Sequence, residues 1–268
     1  MRIAGFLIVF LFFAPPAQAQ LQAKPQLSAS ERELNDLMAY YYKDPRIERL
    51  AGFLEKYDAG AQWNAYPPAA GFYAILFRTN PNAVSRLVSG NINARGATMI
   101  YTALRLAGDQ PVPTALKAQL AQAGLDERLK AEFTGLPPRL EDIRIRTPTH
   151  LDILWGASFA SGDPRYARMI MNYIAQVANR SELIALDVAR TTAAIMGGPQ
   201  DVLKELKNKY GNEGAYEMIV AGTAMWGLYA NSRQHAFIEQ AGSRYLKDNA
   251  GTYAAKAIAA GWRPNAAR

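Results

Sequence analysis

From Tyr166 to Val177 the apolar residues Tyr166, Met169, Ile170, Tyr173, Ile174 and Val177 recur every three or four positions. That spacing puts them on one face of a helix, which then needs a partner helix to bury it. The same rhythm returns in PRIERLAGFLEKY, after Asp44, where Ile47, Leu50, Phe53 and Leu54 share a face and predict a helix beginning at Pro45. Before it, Ser30 and Glu33 have the spacing of a capping box for a helix running to about Lys43. Short, turn-punctuated helices are expected at 68–78, 82–88, 94–107, 113–123 and 126–133, and again at 151–161, 164–178, 181–196, 200–210, 213–229, 234–248 and 252–260.

One stretch departs from the helical period. LPPRLEDIRIRTP, 136–148, carries paired prolines and alternates Ile143, Arg144, Ile145, Arg146, the pattern of extended chain. It is the natural divider if the chain has two halves. An echo links the helices on either side. Tyr101 precedes Gly108-Asp109, Trp155 precedes Gly162-Asp163 at a spacing of 54 residues, and Trp226 precedes Asn231-Ser232 after a further 71. Unequal intervals exclude a regular solenoid. The fold class expected is all-α, an irregular helix-turn-helix repeat array forming either an α-α superhelix or a compact multi-helix bundle.

Composition agrees with that class. Alanine supplies 47 of the 268 residues and Gly with Pro 35, a balance that favours helix over strand. Residues 1–19, MRIAGFLIVFLFFAPPAQA, read as a signal peptide: Arg2, an apolar run from Ile3 to Ala14, then Ala17-Gln18-Ala19 before the expected cleavage. Twelve apolar residues are too few for a helix across a hydrocarbon core of about 30 Å, and no second apolar span follows. The expected organisation is a signal peptide (1–19), an extended lead-in (20–29), a single helical domain (30–262) and a flexible tail (263–268), located in the periplasm or secreted. With no cysteine, packing alone must hold the fold.

The net charge of +7 suits an anionic surface, but the basic residues are scattered and no nucleic-acid motif accompanies them, so nucleic acid is excluded as a partner. Three stretches, AYPPAAGFYAILFRTNPNAV (65–84), LDILWGASFASGDPRYARMI (151–170) and AMWGLYANSRQHAFI (224–238), resemble the recurring motifs of a family of secreted bacterial helical proteins with no assigned activity. The resemblance implies a helical fold and carries over no catalytic residue.

Candidate chemistry is sparse. Gly156-Ala157-Ser158 falls short of a nucleophile elbow, which needs a strand before the serine and glycine on both sides; small residues for close helix packing explain it better. The two histidines, His150 and His235, lack metal-ligand spacing, so no metal, and no nucleotide or other cofactor, is expected. His150 reads as part of a helix start marked by Thr149 and Asp152, and His235 as an exposed or capping residue. Glu141-Asp142 and Glu213 with Glu217 are the pairs a glycan hydrolase could use, although solvated charge accounts for each. Asp109 and Asp163 precede helices and read as N-caps; Trp155 and Trp226 read as core anchors, and Tyr42 as exposed. If the three turns stack, Asp109, Asp163, Arg165, Ser232 and His235 form a polar rim, and Arg144 with Arg146 form a second candidate surface. The expected function is a noncatalytic helical protein that offers such a surface to a protein or an anionic envelope polymer; the alternative is an envelope glycan hydrolase using a carboxylate pair.

Overall fold

The computed structural model describes residues 29–50, 52–60, 65–88, 91–199 and 201–262. Residues 1–28 and 263–268, where the signal peptide, most of the lead-in and the tail are expected, lie outside these residues. The described chain is all-α, with no strand among the described residues and one isolated bridge between Ala107 and Arg139. Its helices are α1 (Ala29–Ala39), α2 (Phe53–Gly60), α3 (Tyr66–Thr79), the single turn α4 (Val84–Leu87), α5 (Ala94–Leu106), α6 (Thr114–Ala123), α7 (Glu127–Glu132), α8 (Pro148–Ser161), α9 (Pro164–Ala178), α10 (Glu182–Ile195), α11 (Asp201–Ser232), α12 (Ala236–Asp248) and α13 (Tyr253–Gly261).

Two helices, α3 and α8, form the centre. Every residue of α3 from Tyr66 to Phe77 is buried, and so is every residue of α8 from Ile153 to Ala160. A helix that is apolar all round is stable in water only when neighbours cover all its faces. The pair reaches that state by close approach. A Cβ on Gly71 would collide with the Ile153 carbonyl, and one on Gly156 with the Pro68 carbonyl, so each glycine receives the other helix's backbone. Small residues in the Gly156-Ala157-Ser158 run therefore serve packing, as their chemistry suggested. Helices α1, α5, α9 and α11 pack directly on this pair, with α10, α12 and α13 outside α9 and α11, and a contiguous apolar core runs from Met38 to Trp262. The result is the compact-bundle form of the expected fold class, since a superhelix would not enclose two helices completely.

Helix boundaries follow local chemistry. Asn93, Asp126, Thr147, Asp163, Ser181 and Thr252 accept hydrogen bonds from the backbone amides that open α5, α7, α8, α9, α10 and α13. The continuous helix expected from Pro45 is instead a 3-10 turn (Ile47–Leu50) followed by α2, divided at Gly52, whose φ of +66° a helix cannot contain. Its apolar face survives the break, with Leu50, Phe53 and Leu54 all buried. Gly211, φ 69° and ψ −175°, interrupts α11 where the sequence separates two helices. The side chain of Ser30 lies outside the described residues, so its capping box does too. Between α7 and α8, Ile143 is buried and Ile145 half-buried while Arg144 and Arg146 point to solvent, the alternation expected of extended chain.

Candidate functional site

A polar cluster forms beside the turn joining α8 to α9. Gly162 ends α8 in the left-handed region, φ 66°, and its amide donates to the Ser158 carbonyl. Asp163 then opens α9, its Oδ1 accepting from the Arg165 amide at 2.8 Å. The Arg165 side chain lies 3.2 Å from Asp163 Oδ2 and 3.4 Å from Glu141 Oε1. Glu141 Oε1 also accepts from Arg78 Nη1 at 2.7 Å and from the Tyr166 hydroxyl at 3.0 Å, and Arg78 Nη2 donates to that hydroxyl at 2.8 Å. Arg78 comes from the end of α3, Glu141 from the 3-10 turn Leu140–Asp142, and Arg165 with Tyr166 from α9. One carboxylate thus ties three segments together.

Charge balance decides what this cluster can do. Burial works to raise the Glu141 carboxyl, but the hydrogen bonds from Arg78 and Tyr166 outweigh it and hold Glu141 below its ordinary range. Burial pushes the Tyr166 hydroxyl up to about 12. Asp142 is held low by a two-pronged bond from Arg139, at 2.8 and 2.9 Å. Neither acid of the Glu141-Asp142 pair keeps a proton at neutral pH, as a general acid must. In the other pair, Glu217 is gripped bidentately by Arg180 at 2.6 and 2.7 Å. Glu213 is exposed.

The rim expected from three stacked turns does not form. Asp163 caps α9 and Arg165 is exposed, as expected, but Ser232 is buried and donates to the Tyr229 carbonyl at 3.0 Å, because α11 continues through the anticipated turn. Asp109 caps nothing: it occupies a left-handed turn, φ 52°, and α6 begins only at Thr114. The three aromatics also differ, Tyr101 being exposed, Trp226 half-buried and Trp155 buried against Gly227.

His235 occupies the N-cap position of α12, but its side chain makes no capping bond and is not exposed. It is only 1% exposed, ringed by Tyr40, Tyr42, Phe159 and Phe237 at centroid distances of 5.1, 5.7, 4.8 and 6.0 Å. Tyr42, read as exposed from sequence, lies across Gly162 with its hydroxyl 3.2 Å from His235 Nδ1. Burial, aided by the Lys43 charge, pushes the imidazole down to about 4, so His235 is neutral at physiological pH. His150 sits in the first turn of α8, which Thr147 caps rather than Thr149, and its Nδ1 accepts the Arg146 amide at 3.1 Å.

Several polar residues were not visible from sequence. Arg78 and Tyr166 lie 63 and 25 residues from Glu141, and no local pattern signals such a meeting. Asp187, 2% exposed, accepts from Lys209 Nζ at 2.6 Å and the Tyr210 hydroxyl at 2.7 Å; these bonds outweigh burial and keep it ionised. Asp152 stands apart, because burial alone pushes its carboxyl well above the ordinary range. Among the described residues no group of three or more His, Asp or Glu is arranged to hold a metal, and no helix is long and apolar enough to cross a membrane. Comparison with protein-family models, with curated proteins and with solved structures returned no match.

Proposed function

We propose that this chain is a noncatalytic helical binding protein of the periplasm or extracellular space, presenting an arginine-lined surface beside the α8–α9 turn to an acidic polymer or acidic protein. The observation that supports it is the Glu141 junction, which draws Arg165 to the extended segment carrying Arg139, Arg144 and Arg146, all exposed. Arg144 and Arg146 follow the 3-10 turn by two and four residues, at most about 7 and 13 Å of chain beyond Asp142, so several cations share a span of one or two screening lengths. The surface rests on a rigid base, since Arg78 and the buried Tyr166 fix Glu141 from beneath. Such an arrangement recognises spread negative charge rather than a single small anion.

Titration with heparin, a linear acidic glycan, tests this reading. Affinity should fall steeply with ionic strength, and the triple variant Arg144→Gln, Arg146→Gln, Arg165→Gln should bind at least about tenfold more weakly, a loss of about 1.4 kcal/mol. Equal binding by wild type and variant, or binding indifferent to salt, would contradict it. In the rival reading, a glycan hydrolase, Asp152 is the candidate acid, since its carboxyl is raised while Glu141, Asp142 and Glu217 are committed to arginines. Release of reducing ends from a cell-wall glycan that disappears in Asp152→Asn would establish that rival.

A further inference from the structure

Three consecutive tyrosines follow α1, and they take three directions. Tyr41 turns inward, its buried ring edge-on to Phe72 of α3 at 5.3 Å. Tyr40 and Tyr42, both half-buried, turn instead toward the far end of the chain. The Tyr40 hydroxyl donates to Gln234 Oε1 at 3.3 Å, and the Tyr42 ring packs on Gly162 and stands 4.8 Å from that of Phe237. Residues 40–43, which include the 3-10 turn Tyr41–Lys43, thus form a strap over the α8–α9 turn and the start of α12. The imidazole of His235 sits where these contacts converge, and among the described residues the Tyr42 hydroxyl is its side-chain hydrogen-bond partner.

We infer that His235 is the latch of a pH-sensitive strap: a proton on its imidazole loosens residues 40–43 from the α8–α9 turn and α12 while the core stays folded. The groups that face the ring give an added charge no compensation. From the strap these are Tyr40, Tyr42 and Lys43; from α8, Phe159; from α12, Phe237, with the uncharged Gln234 just before it. No carboxylate is among them, and the Lys43 ammonium, 4.5 Å over the Tyr40 ring, has the same sign as an imidazolium. An ion buried without a counter-ion either gives up its proton or moves to water. Moving the strap disturbs little else, since Tyr40 and Tyr42 are half-buried and the glycine contacts of the α3–α8 crossing involve neither. Tyr41, held against Phe72, keeps the strap closed at neutral pH. The ring titrates near 6.5 in solvent and at about 4 when latched, so the opening constant of the strap rises about a hundredfold from pH 7 to pH 4. Opening bares Phe159, Phe237 and Gly162, so acid acts on the α8–α9 turn whatever the arginine surface binds.

Native-state hydrogen exchange of the full chain between pH 7 and pH 4, corrected for the chemical exchange rate at each pH, reads this opening. The reporters are the Tyr40, Lys43 and Asp44 amides, which donate to the carbonyls of Asp36, Tyr40 and Tyr41. Their opening constant should rise about a hundredfold over that range, while the amides of 70–77 stay better protected at every pH. In His235→Gln the rise should shrink to about threefold or less, because a glutamine does not titrate. Should that variant leave the strap open at every pH, the wild-type ring decides by its own NMR titration, which should centre near 4. An opening constant that stays level or falls in acid would overturn the inference, since the aromatic faces would then be holding the imidazolium. So would a full rise in His235→Gln, a folded-state ring value at or above 6.5, or strap and α3 amides that exchange at one common free energy.

Discussion

Helices α3 and α10 are the same length and both largely apolar, yet one has no exposed apolar side chain while the other leaves two leucines more than half exposed. The difference lies in their neighbours. Gly71 admits the backbone of α8, which lets α3 be covered on every side, whereas α10 is covered by α9, α11 and α13 and has a free face left over. Apolar content alone does not distinguish a core helix from one with an exposed face. The small residue that permits close approach, and the number of elements that come near, make that distinction.

The harshest way to break the comparison is to close the α3–α8 approach. Gly71→Ala places a methyl against the Ile153 carbonyl, with backbone on both sides and no flexible side chain to yield. We expect a loss of about 3 kcal/mol or more, in the upper range for overpacking, read by urea denaturation; a loss below about 1 kcal/mol would mean that the helices can separate freely.

Next in size is the pH response of His235, which joins the residues after α1 to α12. Its unfolded value near 6.5 falls to about 4 in the fold, so the native state prefers the neutral ring. The stability this lends is complete above pH 6.5 and is lost as pH falls toward 4, amounting to about 3 kcal/mol. His235→Gln should flatten stability between those limits. A profile unchanged by the substitution would show that other groups set it. Asp152 has the opposite sign: its raised carboxyl is a liability that grows as pH rises above the ordinary carboxylate range, and Asp152→Asn should raise the neutral-pH melting temperature. A lower melting temperature would reveal a favourable role for the charge.

The smaller effects lie at the surface. Asp163→Ala should cost about 1 kcal/mol through loss of its bond to the Arg165 amide, and Asp163→Ser should recover most of it if capping is the main role. Failure of serine to rescue would make the contact between Asp163 and Arg165 the larger contribution. Leu186→Gln in dilute solution should shift stability by less than about 0.5 kcal/mol, the counterpart of the glycine test. A larger loss would place Leu186 in the core of the monomer.

Much of the fold was legible because local rules determined it. The apolar stripe of α9 and the break near Gly211 follow from spacing and from one residue type, and Asp163 and Ser181 mark helix starts by well-understood chemistry, whereas α8 opens at Pro148, three residues before the expected start. Gly52 defeated the same reasoning, because an amphipathic period can continue across a turn that rearranges the backbone beneath it. At the candidate site, Asp163 and Arg165 were readable from their turn, and Arg144 and Arg146 from their alternation. Arg78 and Tyr166 were not, since long-range hydrogen bonds leave no periodic trace. His235 was misjudged because its burial depends on Tyr40, Tyr42 and Phe159, which lie at least 76 residues away in sequence.

Native-state hydrogen exchange tests the contrast between α3 and α10 most directly. The amides of 70–77 should exchange only through global unfolding, with a free energy equal to that from urea denaturation, while those near Leu186 in dilute protein should exchange through smaller local openings. Exchange from α3 before α10, or at the same sub-global free energy, would contradict the account of α3 and α8 as the sequestered centre and α10 as the open face.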